Sequence, residues 1–214
     1  IIQSNLLSIE AVKNGIYLVF LIALILGSYL VYVGGYPILI IGSFALISSF
    51  CYTAGPLPLA YIGLGDIFVF IFFGIIAVPG TYYLQGGELW NLSSLMIGVP
   101  IGFLGVSILM VNNIRDVSLD EKVGKKTIVV RFGLVVSKVI FSLMLVLPFI
   151  AIFILFLFWD YHFPFALLLF LIPFAVKLMV DITYKHGSEL NQVLINTINF
   201  LRMFSLILMI GLLL

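Results

Sequence analysis

The chain has 214 residues, of which 64% are hydrophobic and 9% charged, and its formal net charge is +1; the mean hydropathy is +1.32. Ordinary soluble domains carry roughly a quarter of their residues as charges, so ten Lys and Arg with nine Asp and Glu cannot clothe a water-exposed surface of this size. A soluble domain is excluded, the near-neutral balance offers no field to recruit nucleic acid, and the lone Cys51 supports neither a disulfide framework nor a thiolate metal site.

Apolar runs near 20 residues suffice for a helix to cross a bilayer core of about 30 Å. Seven such runs follow one another, near 16–33, 36–54, 66–84, 92–111, 135–158, 163–180 and 195–214. They are continuously apolar and do not alternate with polar residues, which argues for helices over lipid-facing β-strands. The expectation is an all-α, polytopic transmembrane helical bundle forming a single domain over 1–214, with kinks at Pro79, Pro100, Pro148 and Pro173.

If the seven runs alternate across the bilayer, Lys13, the 112–134 loop with Lys138, and the 181–194 loop with Lys177 share one side. The opposite loops, around Gly34-Gly35, Gly86-Gly87-Glu88 and Asp160-Tyr161, carry no Lys or Arg. The positive-inside rule makes the first side cytoplasmic in a multi-pass protein of the cell membrane.

Nine of the nineteen charges lie between Asn112 and Lys138. If the helix of 92–111 continues past its apolar run, Asn112, Asp116 and Asp120 follow at i, i+4 and i+8 on one face. Two carboxylates about 6 Å apart repel by roughly 3 kcal/mol at an effective dielectric near 20, and a divalent cation between them reverses that cost. Oxygen ligands of this kind favour Mg²⁺, which completes its shell with water and substrate phosphates. Gly124 is placed to end the helix, so that Lys125, Lys126 and Arg131 can turn back toward bound phosphates. The bland alternative is a solvated loop whose cations only satisfy the positive-inside bias and whose acids keep it soluble.

The string Asn112-Asn113-Ile114-Arg115-Asp116, with Asp120 and then Gly124-Lys125-Lys126-Thr127-Ile128-Val129-Val130-Arg131-Phe132-Gly133, resembles the second aspartate motif of the membrane prenyltransferases of the UbiA superfamily. A second block, Tyr52-Thr53-Ala54-Gly55-Pro56-Leu57-Pro58-Leu59-Ala60-Tyr61 with Gly63-Leu64-Gly65-Asp66 and Phe72-Phe73-Gly74, looks like the second cytoplasmic loop of the branch that prenylates 1,4-dihydroxy-2-naphthoate. Pro56 stands where ubiquinone-type members tend to have Lys, a feature the naphthoate branch shares. The resemblance covers essentially the whole chain.

What the resemblance implies is a bundle of nine helices around a cavity, with two Asp-rich motifs facing each other across its mouth. Seven of those helices are expected here. The first motif would precede Ile1, since residues 1–15 hold no equivalent cluster, so the chain reads as a piece of a longer protein. The implied activity is Mg²⁺-dependent transfer of a polyprenyl group from polyprenyl diphosphate to 1,4-dihydroxy-2-naphthoate, giving demethylmenaquinone. Asp116 and Asp120 would be the catalytic metal ligands, and Asn112, Asn113, Arg115, Lys125, Lys126, Arg131 and Tyr52 would bind substrate.

Other residues read more simply. Phe68, Phe70, Phe72 and Phe73 could line a prenyl tunnel but more often pack helices or face lipid. Gly98 and Gly102 fit close helix packing. Gln192, Asn196, Asn199 and Arg202 fall near one face of the last span, where they could touch the acceptor or merely tie helices together. Asp181 suits a helix-end ion pair with Lys177 or Lys185, while Glu88, Trp90, His162 and His186 read as interfacial. A transporter built from kinked spans is the competing class, although apart from Arg202 the charges gather at span ends; a non-catalytic membrane partner is the third.

Overall fold

A computed structural model of the protein describes residues 8–53, 58–158 and 166–213. The long apolar runs give helix over most of these segments, with turns at 58–64, 85–91 and 123–127. Among the described residues six helices are long and apolar enough to cross a membrane, Ile9–Tyr52, Gly65–Leu84, Leu92–Lys122, Ile128–Leu157, Leu167–Tyr184 and Gly187–Leu213. The fold is therefore the expected polytopic helical bundle.

The expected runs 16–33 and 36–54 both fall within α1 (Ile9–Thr53), as two helices that meet in a kink at Gly35, with φ 67° and ψ −152°. The expected loop at Gly34-Gly35 is thus a single residue in a conformation open to glycine. The described residues group into two units, Ile1–Leu46 and Ile47–Leu214. The first unit is most of α1, whose side chains, such as Tyr17 and Tyr32, are exposed, as suits a helix whose solvent is lipid.

In the second unit the chain continues through α2 (Gly65–Phe70), a π-helical stretch Ile71–Ala77 and α3 (Val78–Leu84), which together form one span. Then come α4 (Leu92–Lys122) and α5 (Ile128–Phe158). A 3₁₀ turn Leu167–Leu171 leads into α6 (Ile172–Tyr184), and a second one, Gly187–Glu189, into α7 (Leu190–Leu213). Pro100 and Pro148 lie inside α4 and α5. Pro79 and Pro173 instead sit in the first turn of α3 and α6, just after the π and 3₁₀ stretches; there the missing N–H is least costly, so the irregular turns take up the distortion. Asp160, Tyr161 and His162 lie outside the described residues, as do Ala54, Gly55, Pro56 and Leu57.

The centre of this unit is α4, which packs on α5, α7 and the Gly65–Leu84 span. Gly74 approaches Gly98 and Gly102 so closely that a Cβ on Gly98 would collide with the Gly74 carbonyl oxygen, and one on Gly102 would lie 3.0 Å from Gly74 Cα. The two glycines therefore serve helix packing, since small residues let backbones meet where lipid supplies no hydrophobic drive between helices. On the opposite flank Phe149, Phe200, Phe204 and Phe174 interlock, with ring centroids 5.8 Å apart for Phe149–Phe204 and 5.6 Å for Phe174–Phe200. The glycine contacts seat the Gly65–Leu84 span on α4, whose polar end carries the site.

Candidate functional site

Helix α4 does continue beyond its apolar run, to Lys122, and its last turns present Asn112, Asp116 and Asp120 to a pocket of about 280 Å³. Gly124 ends the helix with φ +75°, a conformation that reverses the chain cheaply only with glycine. The reversal returns Lys125, whose Nζ lies 2.7 Å from Asp120 Oδ1. Asp120 is buried, 5% exposed, so this ion pair is shielded on the carboxylate side. Asp116 is held differently: Arg115 donates from Nε to Oδ1 at 2.7 Å and from Nη2 to Oδ2 at 2.8 Å. That fork aims the carboxylate with a geometry a lysine cannot copy. Arg115 Nη1 donates to Asn191 Oδ1 at 2.9 Å, tying the end of α4 to the start of α7. Lys138 Nζ donates to the Thr183 carbonyl at 2.9 Å, so the charged ends of α4, α5, α6 and α7 share one end of the bundle.

The opposite wall of the pocket comes from Tyr52 and the segment before α2. Tyr52, Ala60, Tyr61, Gly63, Gly65 and Asp66 line it together with Asn112, Asn113, Asp116, Asp120, Lys125 and Thr127. The two walls are joined through backbone: Lys126 N donates to Tyr61 O at 2.7 Å. Arg131 donates from Nη2 to the Ile62 carbonyl at 2.7 Å and from Nε to the Lys126 carbonyl at 3.0 Å. Gly63, with φ +83°, has no room for a Cβ because the Lys126 carbonyl occupies that place. Lys125 Nζ also stands 5.5 Å from the centre of the Tyr61 ring, a cation–π distance.

Of the residues singled out from sequence, Tyr52, Asn112, Asn113, Asp116, Asp120 and Lys125 converge on this one pocket. Arg115 and Arg131 stand behind it, engaged with protein acceptors, and Lys126 is exposed. Phe68, Phe70, Phe72 and Phe73 do not line it; Phe70 packs on Phe103 with ring centroids 4.9 Å apart. Gln192 Nε2 donates to Asn196 Oδ1 within α7 at 3.0 Å, and Asp181 pairs with Lys185 at 3.0 Å. Asp66 and Tyr61 also line the pocket, although in sequence they stand out only as members of the Tyr52–Gly74 block. The signal for Asp66 was an acid at the mouth of an apolar span, where an ionisable group is expensive.

The donor set suits a hard divalent cation, because carboxylates and amide oxygens from Asp116, Asp120, Asn112 and Asn113 are all oxygen ligands in one pocket. Among the described residues no three His, Cys, Asp or Glu converge as a cage. Mg²⁺ does not need one, since it is usually held by one or two carboxylates together with water and phosphates. Lys125, the cation in the pocket lining, suits anionic oxygens in the same place.

Comparison with known proteins gives the same direction. The 1,4-dihydroxy-2-naphthoate octaprenyltransferase of Haemophilus influenzae is 34% identical over 138 residues, 62% of this chain and 44% of that protein. The Escherichia coli protein of the same name is 43% identical over 96 residues, 44% of this chain and 30% of its own length. UbiA prenyltransferase domain-containing protein 1 of Gallus gallus is 32% identical over 163 residues, 76% of this chain and 45% of that relative. The chain thus spans less than half the length of each. Residues 2–204 match the UbiA prenyltransferase family as a whole, and the chain belongs to that family.

Proposed function

We propose that the complete protein transfers a polyprenyl group from its diphosphate to 1,4-dihydroxy-2-naphthoate, with loss of the carboxylate as carbon dioxide and release of diphosphate, giving demethylmenaquinone in its reduced, quinol form. The observation that carries this reading is the convergence of Asn112, Asp116, Asp120 and Lys125 on one pocket at the charged end of an apolar bundle. The naphthoate relatives supply the acceptor. Residues 1–214 act as part of a single membrane-embedded prenyltransferase domain, with the 112–134 segment on the cytoplasmic side of the cell membrane.

Asp116 and Asp120 would hold Mg²⁺, with Asn112 and Asn113 beside them. When bound, that ion neutralises charge on the departing diphosphate. Lys125, which pairs with Asp120, would donate its remaining N–H bonds to a phosphate oxygen and so stabilise the same developing charge. Arg115 holds Asp116 in aim, and Arg131 holds the two walls of the pocket at fixed separation. A pocket of about 280 Å³ is at the lower end of small-molecule sites, which run from roughly 300 to 1,000 Å³. It therefore admits the head group while the prenyl tail lies along apolar helix surface. That surface also excludes water, which would otherwise capture an allylic cation before the electron-rich ring does.

The test is prenyl transfer in membranes carrying the complete protein, with Mg²⁺ supplied or chelated. Turnover should require Mg²⁺ and should fall to background in Asp116→Ala and Asp120→Ala; full activity in either variant would remove them from the metal site.

A further inference from the structure

Asp66 is the one acid of the pocket whose role the diphosphate site does not absorb. It is 6% exposed, and its Oδ1 has no hydrogen-bond partner among the described residues. The other two acids there are matched by cations, Asp116 by Arg115 and Asp120 by Lys125. A buried carboxyl oxygen without a donor is costly unless a ligand supplies one. Asp66 also does not join Asp116 and Asp120 as a third metal ligand, because no three acids converge among the described residues.

Its surroundings indicate what it receives. Gly65 precedes it, and a Cβ there would lie 3.1 Å from Tyr52 Oη, so the absence of a side chain at 65 lets the Tyr52 phenol stand beside Asp66. The wall opposite α4 is Tyr52, Ala60, Tyr61, Gly63, Gly65 and Asp66, so its functional groups are two tyrosines and a carboxyl. A flat, hydroxylated ring matches that wall, since its O–H can donate to Asp66 beside two aromatic side chains.

We infer that Asp66, with Tyr52 beside it, is the binding point for a ring hydroxyl of the aromatic acceptor, and that it sets the acceptor's orientation and the enzyme's demand for that hydroxyl. This rests on the prenyl-transfer reading above. The hydroxyl donates to the carboxylate, which feeds electron density into the ring and turns its nucleophilic carbon toward the diphosphate wall of Asp116, Asp120 and Lys125. A site built to pair a substrate hydroxyl rejects the analogue lacking it more strongly than an apolar pocket rejects a missing methylene.

The experiment uses the complete protein in membranes and measures acceptor KM, donor KM and competitive inhibition by two acceptor analogues, one lacking the 1-hydroxyl and one lacking the 4-hydroxyl. In the unaltered protein one analogue should bind at least tenfold more weakly than the other. Asp66→Asn should raise acceptor KM at least tenfold, leave donor KM within twofold, and erase the difference between the analogues. Equal inhibition by both analogues in the unaltered protein overturns the inference whether or not the variant accumulates. So does an unchanged acceptor KM in Asp66→Asn. Absence of any prenyl transfer by the unaltered protein would instead refute the reading on which the inference rests.

Discussion

Replacing Lys125 by Met and Asp120 by Asn, singly and together, separates what their ion pair does for folding from what it does for chemistry. At 2.7 Å and an effective dielectric near 20, the charges attract by roughly 6 kcal/mol. Desolvation of the buried Asp120 offsets most of this, and Lys125 is 29% exposed on its side chain, which weakens the pair further. A net of about 1–3 kcal/mol is therefore expected for Lys125→Met, chiefly because it strands a buried carboxylate. Asp120→Asn removes that charge, so the double variant should regain most of the lost stability, giving a coupling of similar size. Thermal unfolding in detergent reads this half of the cycle. Turnover should behave otherwise: Lys125→Met should lose about a hundred- to a thousand-fold in kcat, or ~2.7–4 kcal/mol, as expected when a donor to developing negative charge is removed, and Asp120→Asn and the double variant should be no more active than Lys125→Met. If the double variant recovers activity along with stability, the pair is only structural and the assignment of Lys125 and Asp120 to the diphosphate site is wrong.

Other expectations follow from the same contacts. Gly98→Val should destabilise the protein by about 1–3 kcal/mol through overpacking against Gly74, whereas Gly80→Ala, whose Cβ meets nothing within 4 Å, should stay within about 0.5 kcal/mol of the parent; unfolding midpoints that do not separate the two would contradict the close approach. Arg131→Lys should lower stability by about 1.5–3 kcal/mol because one ammonium cannot reproduce both carbonyl contacts, and it should reduce kcat without abolishing it; an inert substitution would mean that the two walls are held otherwise. In a Cys51→Ser background, Glu121→Cys should react with a membrane-impermeant thiol reagent only from the cytoplasmic face and Gly86→Cys only from the outer one, and the reverse pattern would invert the topology.

The acidic face was legible because it depends on one helix alone. Once α4 runs past its apolar stretch, Asn112, Asp116 and Asp120 align by spacing, and Gly124 announces the reversal that returns Lys125. Arg131 was not legible in the same way. Its carbonyl partner at Ile62 lies 69 residues away, and no local pattern distinguishes a cation that clamps loops from one that binds phosphate. Asp66 needed the assembled pocket for its lack of a partner to appear. Hydropathy marked where α1 is apolar but not that its two runs are joined through a single glycine, because a run of apolar residues does not reveal whether the turn between runs is a loop or one unusual φ.

The most direct test is the structure of the complete protein with Mg²⁺ and a non-reactive polyprenyl diphosphate analogue. The diphosphate is predicted to lie in the pocket between Tyr52 and α4, with Mg²⁺ on Asp116 and Asp120 and a phosphate oxygen within hydrogen-bond reach of Lys125. A head group bound elsewhere, with the side chains of Asp116, Asp120 and Lys125 arranged as they are here, would contradict the account.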